Sequence, residues 1–127
     1  SDSEWEQMEN YLADNGYNYD GTTGGGRDKI AKALASKSGW SSSSSTGSVG
    51  NTDYSSYRNK SGFTALPGGS RDSSGSFSTL GYGGYWWSAT ENDSSNARGR
   101  YLYYDSSVVY RYHSNKDNGC SVRCVRD

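Results

Sequence analysis

Between residues 98 and 114 the chain reads RGRYLYYDSSVVYRYHS. These side chains make contacts rather than bonds. Tyrosine offers a large, stiff, amphipathic surface at low entropic cost, and serine and asparagine offer adaptable hydrogen bonds; together they resemble the composition of antibody-like paratopes. Arg98, Arg100 and Arg111 add the guanidinium chemistry that dominates interface hot spots. The candidate ligand-binding residues are therefore Arg98, Arg100, Tyr101, Tyr103, Tyr110, Arg111, Tyr112 and His113. Tyrosine is also a good strand residue, so the same stretch reads equally well as the polar outer face of a two-layer sheet.

No set of residues suited to covalent catalysis stands beside it. His113 is the single histidine. There is no nucleophile elbow, phosphate loop or zinc pair, and the glycine-rich GYGGYW and TTGGGRD lack the strand and helix context of a nucleotide site. Cys120 and Cys124 would lie about 13 Å apart on a strand, too far for a disulfide. They are expected as buried thiols on one strand face. Glu91, Asn92 and Asp93 bring together the oxygen ligands that calcium prefers, although their spacing matches no EF-hand loop. The alternative is a solvated turn. The expectation is a protein without catalytic residues and without a cofactor, calcium being the one metal this stretch allows.

The elements that would position the contact residues are legible in outline. SDSEWEQMENYLADNG predicts a helix capped by Ser3 with Glu6 as its capping-box partner. Trp5, Met8 and Leu12 form its apolar stripe, and Asn15-Gly16 stops it. RDKIAKALASK predicts a second helix with Ile30, Ala33, Leu34 and Lys37 on one side, followed by Trp40 as a core plug. Residues 41–61 are low in complexity and predict a long surface loop. Phe63 and Leu66 are the next anchors. Strands follow at 85–90, at RGRYLYY, at SVVYRYH and at CSVRCVR, with Trp86 and Trp87 pointing to opposite faces of the first. Helices first and antiparallel strands later is the α+β order.

Composition sets outer limits. With 127 residues, one domain is expected. Hydrophobic content is 31%, so Trp5, Leu12, Ile30, Leu34, Trp40, Phe63, Leu66, Trp86 or Trp87, Val122 and Val125 must carry the core. Seventeen glycines against one proline imply many turns. The net charge of −1 supplies no basic field for nucleic acid, and no apolar run reaches membrane-spanning length.

The motifs YWWSATENDSSNA, SNKDNG and CSVRCVRD, with SDSEWEQMENYLA, ALASKSGW and SGFTALPGG upstream, resemble the Fibrobacter succinogenes major domain family over nearly the whole chain. That family is related in fold to C-type lectin-like domains and to the formylglycine-generating enzyme group, and it occurs in bacterial surface and secreted proteins. Some of its relatives are variable proteins of diversity-generating retroelements, whose 3′ coding ends are recopied with errors at adenines. The resemblance places Gly99, Tyr101, Tyr103, Tyr110, Arg111, Tyr112, His113, Ser114 and Asp117 at or near diversified positions. Residues 92–115 contain no Glu, Lys, Gln, Met or Trp, the types that adenine changes in an asparagine codon cannot reach. Two departures stand out: Arg98 replaces an aromatic residue, and the family's upstream strand has no counterpart.

The resemblance thus implies an α+β, C-type lectin-like fold: two helices against a small, twisted, mostly antiparallel sheet with long Gly/Ser-rich loops. It implies a single domain over residues 1–127 that lacks the upstream strand. The expected function is a non-enzymatic module binding a protein or glycan ligand, or mediating adhesion, outside the cell on a bacterial surface or phage particle. A second expectation is a structural subunit of a surface fibre or pilus that self-assembles through an exposed sheet edge. A third, an enzyme of formylglycine-generating type, would need Cys120 or Cys124 to be reactive.

Overall fold

The computed structural model describes residues 1–124. Its first element, helix α1 (Asp2–Asp14), begins at a capping box. The S-x-x-E pattern occurs twice in the opening residues, and the pair in use is Ser1 and Glu4, with the Ser1 side chain accepting from the Glu4 amide. Ser3, the predicted cap, lies inside the helix, because the earlier pair captures the first free amides. Leu12 and Ala13 are buried, and Trp5 and Met8 pack against the core they join.

The second helix is far shorter than its sequence predicts. Only α2 (Ala31–Leu34) is helical. It stops because Ala35 turns extended and forms a parallel bridge with Ala65, with Ser36 N donating to Ala65 O at 2.9 Å. The shortening also changes which lysine is inside. Lys37 is exposed, whereas Lys32 is fully buried.

Lys32 and Arg58 explain why residues 41–61 are ordered despite their Ser/Gly composition. Lys32 Nζ donates to Asn51 O at 2.9 Å and to Asp53 O and Oδ1, each at 2.5 Å. Arg58 donates to the carbonyls of Ser36, Val49 and Asn51. Cations thus take the place of a regular ladder in satisfying loop carbonyls. Burial pushes the Lys32 ammonium below its ordinary value, and the Asp53 hydrogen bond opposes that shift. Within this frame Val49 is buried in the core, an anchor that the low-complexity reading passed over.

The strands form two sheets. β1 (Ser70–Arg71) and β2 (Phe77–Ser78) make a short antiparallel pair. β3 (Gly83–Glu91), β4 (Asn96–Tyr103) and β5 (Tyr110–Asn115) form an antiparallel sheet in that spatial order. A bulge interrupts the β3–β4 register between Trp87 and Glu91. Trp86 is buried beneath α1 and Phe63, and Trp87 points to the other face, as strand alternation requires. The architecture is α+β. No helix of the described residues is long and apolar enough to cross a membrane.

Three further expectations are corrected. Leu66 is 60% exposed, and its neighbour Ala65 takes the buried place. Residues 120–124 form no regular strand. Ser121 alone bridges β3, donating to Tyr85 O and accepting from Trp87 N. Without a ladder to fix its side, Val122 is 72% exposed, and Val125 lies outside the described residues. The cysteines do not share a buried face either: Cys120 is half-buried and Cys124 is exposed.

Candidate ligand-binding face

Strand pairing sorts the predicted contact residues onto two faces. In an antiparallel sheet, directly paired residues project to the same side. Tyr85 pairs with Tyr101, and Tyr101 with Tyr110; Trp87 pairs with Gly99, and Gly99 with Tyr112. These residues, with Tyr103, occupy the face opposite α1. Arg98, Arg100, Arg111 and His113 alternate with them and occupy the α1 face.

The aromatic face is built as a row. The rings of Tyr85 and Tyr101 stack at 5.3 Å, and those of Tyr101 and Tyr110 at 4.6 Å with an interplanar angle of 11°. Tyr112 crosses the row edge-on, 5.4 Å from Tyr101 and 6.1 Å from Tyr85, and lies parallel to Trp87 at 6.5 Å. Both offset-stacked and edge-to-face pairs are favourable aromatic arrangements. Gly99 is the floor that makes this possible. A Cβ there would meet the Tyr112 ring at 2.7 Å and the Trp86 carbonyl oxygen at 2.7 Å.

The phenols are neutral hydrogen-bonding groups. Burial raises the Tyr101 and Tyr112 hydroxyls above the ordinary phenol value, and Tyr112 also contacts Cys120 Sγ at 3.3 Å. Burial pushes the Cys120 thiol up in turn. Beside the row is a cavity of about 330 Å³ lined by Thr79, Tyr85, Tyr101, Tyr103, Asp105 and Tyr110. A second, apolar hollow of about 670 Å³ lies between α1, Phe63 and residues 122–124. It contains none of the eight predicted contact residues and is bounded by the last described residue.

The arginines have other duties. Arg100 is fully buried. Its Nε donates to Glu9 Oε1 at 2.6 Å and its Nη1 to Asp2 Oδ1 at 2.6 Å. Arg111 donates to the same Asp2 carboxylate, Nη2 to Oδ2 at 2.7 Å. Hydrogen bonding by Arg111 and then Arg100 outweighs burial and holds the Asp2 carboxyl well below the usual carboxylate range. Burial lifts Glu9 above its ordinary value, with Arg100 pulling it back. This network joins α1 to the sheet, so Arg100 is a structural residue and not a displayed contact. Arg98 and His113 are cross-strand neighbours on the same face, with His113 exposed.

The ENDSSN turn keeps its oxygens for itself. Asp93 Oδ1 accepts from the amides of Ser95 and Asn96, and Oδ2 from Asn92 Nδ2. The Ser95 amide, then the Asn92 and Asn96 side chains, hold its carboxyl at about 2. Glu91 pairs with Lys116 at 2.5 Å. Among the described residues no group of three metal-ligating side chains forms.

Sequence reasoning missed Tyr85 and left open which of Trp86 and Trp87 enters the core. The signal was the Y-x-W spacing of YWW, which places residues 85 and 87 on one side of a strand. Gly99 was read as a diversified position, but a side chain there collides with backbone as well as with a ring.

No curated protein and no solved structure matches the chain. The Fibrobacter succinogenes major domain matches residues 1–126, a span that holds α1, both sheets and the whole aromatic face. The chain belongs to the Fibrobacter succinogenes major domain family.

Proposed function

We propose that the domain is a non-enzymatic binding or adhesion module with a C-type lectin-like fold, and that it acts outside the cell on a bacterial surface or phage particle. The observation that carries this reading is the stacked row Tyr85–Tyr101–Tyr110, flanked by Trp87 and Tyr112, on the sheet face that α1 leaves free. Stiff, amphipathic rings with neutral hydroxyls bind protein or glycan surfaces at small entropic cost. The helices-then-strands order and the family membership support the lectin-like part.

The same face gives the diversification reading a physical form. Tyr101, Tyr103, Tyr110 and Tyr112 project from a ladder fixed by backbone bonds, so their identities change without rebuilding the sheet. Gly99 and Arg100 are excluded from that set by packing. The fibre-subunit reading instead requires β5 to pair with a second copy, which brings Arg111 and His113 of the two copies together.

An array of bacterial and host glycans and surface proteins tests the proposal, probed with wild type and with the Tyr101→Ala, Tyr110→Ala, Tyr112→Ala triple variant. Ligands held by wild type and lost by a triple variant with unchanged far-ultraviolet circular dichroism support it. Unchanged binding by the triple variant contradicts it.

A further inference from the structure

The free side of the main sheet is the outer edge of β5, and its chemistry defines what would pair there. Tyr104 N donates to Tyr82 O, and Lys116 N to Ser95 O. These bonds set the antiparallel alternation: Arg100 and Leu102 bond towards β3, and Ala97, Gly99 and Tyr101 bond towards β5. On β5 the backbone groups of Tyr110, Tyr112 and Ser114 therefore turn inwards. Those of Arg111 and His113 turn outwards, and both residues are exposed. Among the described residues no strand or bridge covers that side. Such an edge is a template for another strand.

The flanking side chains select the occupant. A strand added to β5 would place residues opposite Tyr110 and Tyr112 on the aromatic face. The stacked row ends there: among the described residues Tyr110 has Tyr101 as a ring partner and no ring on its outer side. Residues opposite Arg111 and His113 would fall on the α1 face, next to those two side chains and two strands from Arg98, whose long side chain lies on the same face. Arg98 and His113 form no ion pair among the described residues, whereas Arg111 on the same face is already met by Asp2, so an acidic side chain finds its unpaired partners at Arg98 and His113. A second copy of β5 fits poorly, because its central antiparallel registers set Arg111 against Arg111, Arg111 against His113, or His113 against His113.

We propose that the β5 edge binds an extended peptide of another protein by strand addition, and that the peptide alternates aromatic and acidic side chains. The outward groups of Arg111 and His113 supply the backbone bonds. The aromatic positions extend the Tyr85–Tyr101–Tyr110 row, and the acidic positions meet Arg98 and His113. The inference rests on the binding-module reading and gives the partner's form.

The probe is a capped hexapeptide alternating tyrosine and glutamate. A tyrosine–lysine alternation and a block peptide of three tyrosines followed by three glutamates serve as controls. The tyrosine–glutamate peptide is expected to slow hydrogen exchange at the Arg111 and His113 amides, and the block peptide to leave them unchanged. The Arg98→Glu, His113→Glu double variant is expected to bind that peptide about fivefold more weakly, as rim charge pairs allow, and to gain affinity for the tyrosine–lysine peptide. Absence of protection at Arg111 and His113 with millimolar peptide overturns strand addition. Shifts confined to Tyr101 and Tyr103 overturn it too, while leaving the aromatic face as a binding surface. Dimerisation of wild type that protects the same two amides overturns the choice of partner.

Discussion

Arg100 and Tyr101 are neighbours on β4 and leave it on opposite faces. Arg100 Nε bonds Glu9 Oε1 at 2.6 Å beneath α1, while the Tyr101 ring stacks on Tyr110 at 4.6 Å. One strand therefore carries both the bond that holds the helix down and the surface offered to a partner. At these two positions stability and binding are expected to separate by face.

Arg100→Met tests the inner face. It leaves Glu9 buried without its cation and removes one of two guanidinium groups from Asp2. Breaking a buried pair from one side costs about 3–5 kcal/mol. Urea denaturation is expected to show a loss of that order, and a change below about 1 kcal/mol would mean that the network does not hold α1.

Acid acts on the same network with a defined sign. Asp2 is held below its ordinary 3.8 by Arg111 and Arg100, so its proton binds less readily in the folded chain. Its stabilisation is complete above that ordinary value and is lost as pH falls through the depressed folded value. Glu9, raised by burial, works in the opposite sense, and its contribution fades as pH rises. Between pH 7 and pH 3 the wild-type urea midpoint should fall further than that of Asp2→Asn. Equal falls would assign the acid sensitivity elsewhere.

Lys32→Met addresses the Ser/Gly-rich loop. The substitution leaves the carbonyls of Asn51 and Asp53 and the Asp53 carboxylate without the Nζ donor. A loss of about 2 kcal/mol is expected from the charged hydrogen bonds alone. Faster proteolysis within residues 41–61 should accompany it. A loop as protected as in wild type would show that Arg58 suffices.

Gly99→Ala should damage the aromatic face. Its Cβ meets a flexible ring and a backbone oxygen at the same 2.7 Å, and overpacking of this kind costs about 1–3 kcal/mol. Near-ultraviolet circular dichroism is expected to change as Tyr112 leaves Trp87. An unchanged spectrum would mean that β3 and β4 absorb the extra methyl group.

Local pattern carried the parts of this structure that depend on local pattern. α1 follows from its apolar stripe and cap signals, displaced by two residues at the cap. Trp86 and Trp87 follow from strand alternation, and so does the placement of Tyr85 and Trp87 on one side of β3. Arg100 could not be read this way. An arginine amid tyrosines looks like a contact until Glu9 and Asp2, more than ninety residues away in sequence, are brought beneath it. Lys32 and Val49 failed for the same reason: a helix shortened by the Ala35–Ala65 bridge and a loop tied down by cations are tertiary facts. The end of the chain misled in another way, because the alternation in CSVRCVR suggests a strand where, among the described residues, Ser121 alone pairs with β3.

The central claim is that the aromatic face, and not the exposed surface of α1, meets the ligand. Its most direct measurement compares Tyr103→Ser, Tyr110→Ser with Tyr11→Ser, an exposed tyrosine on α1, for affinity towards any ligand captured by wild type. The double variant should lose at least about tenfold in affinity, as removal of interface tyrosines does, while Tyr11→Ser binds as wild type. Loss of affinity in Tyr11→Ser with none in the double variant would contradict the account.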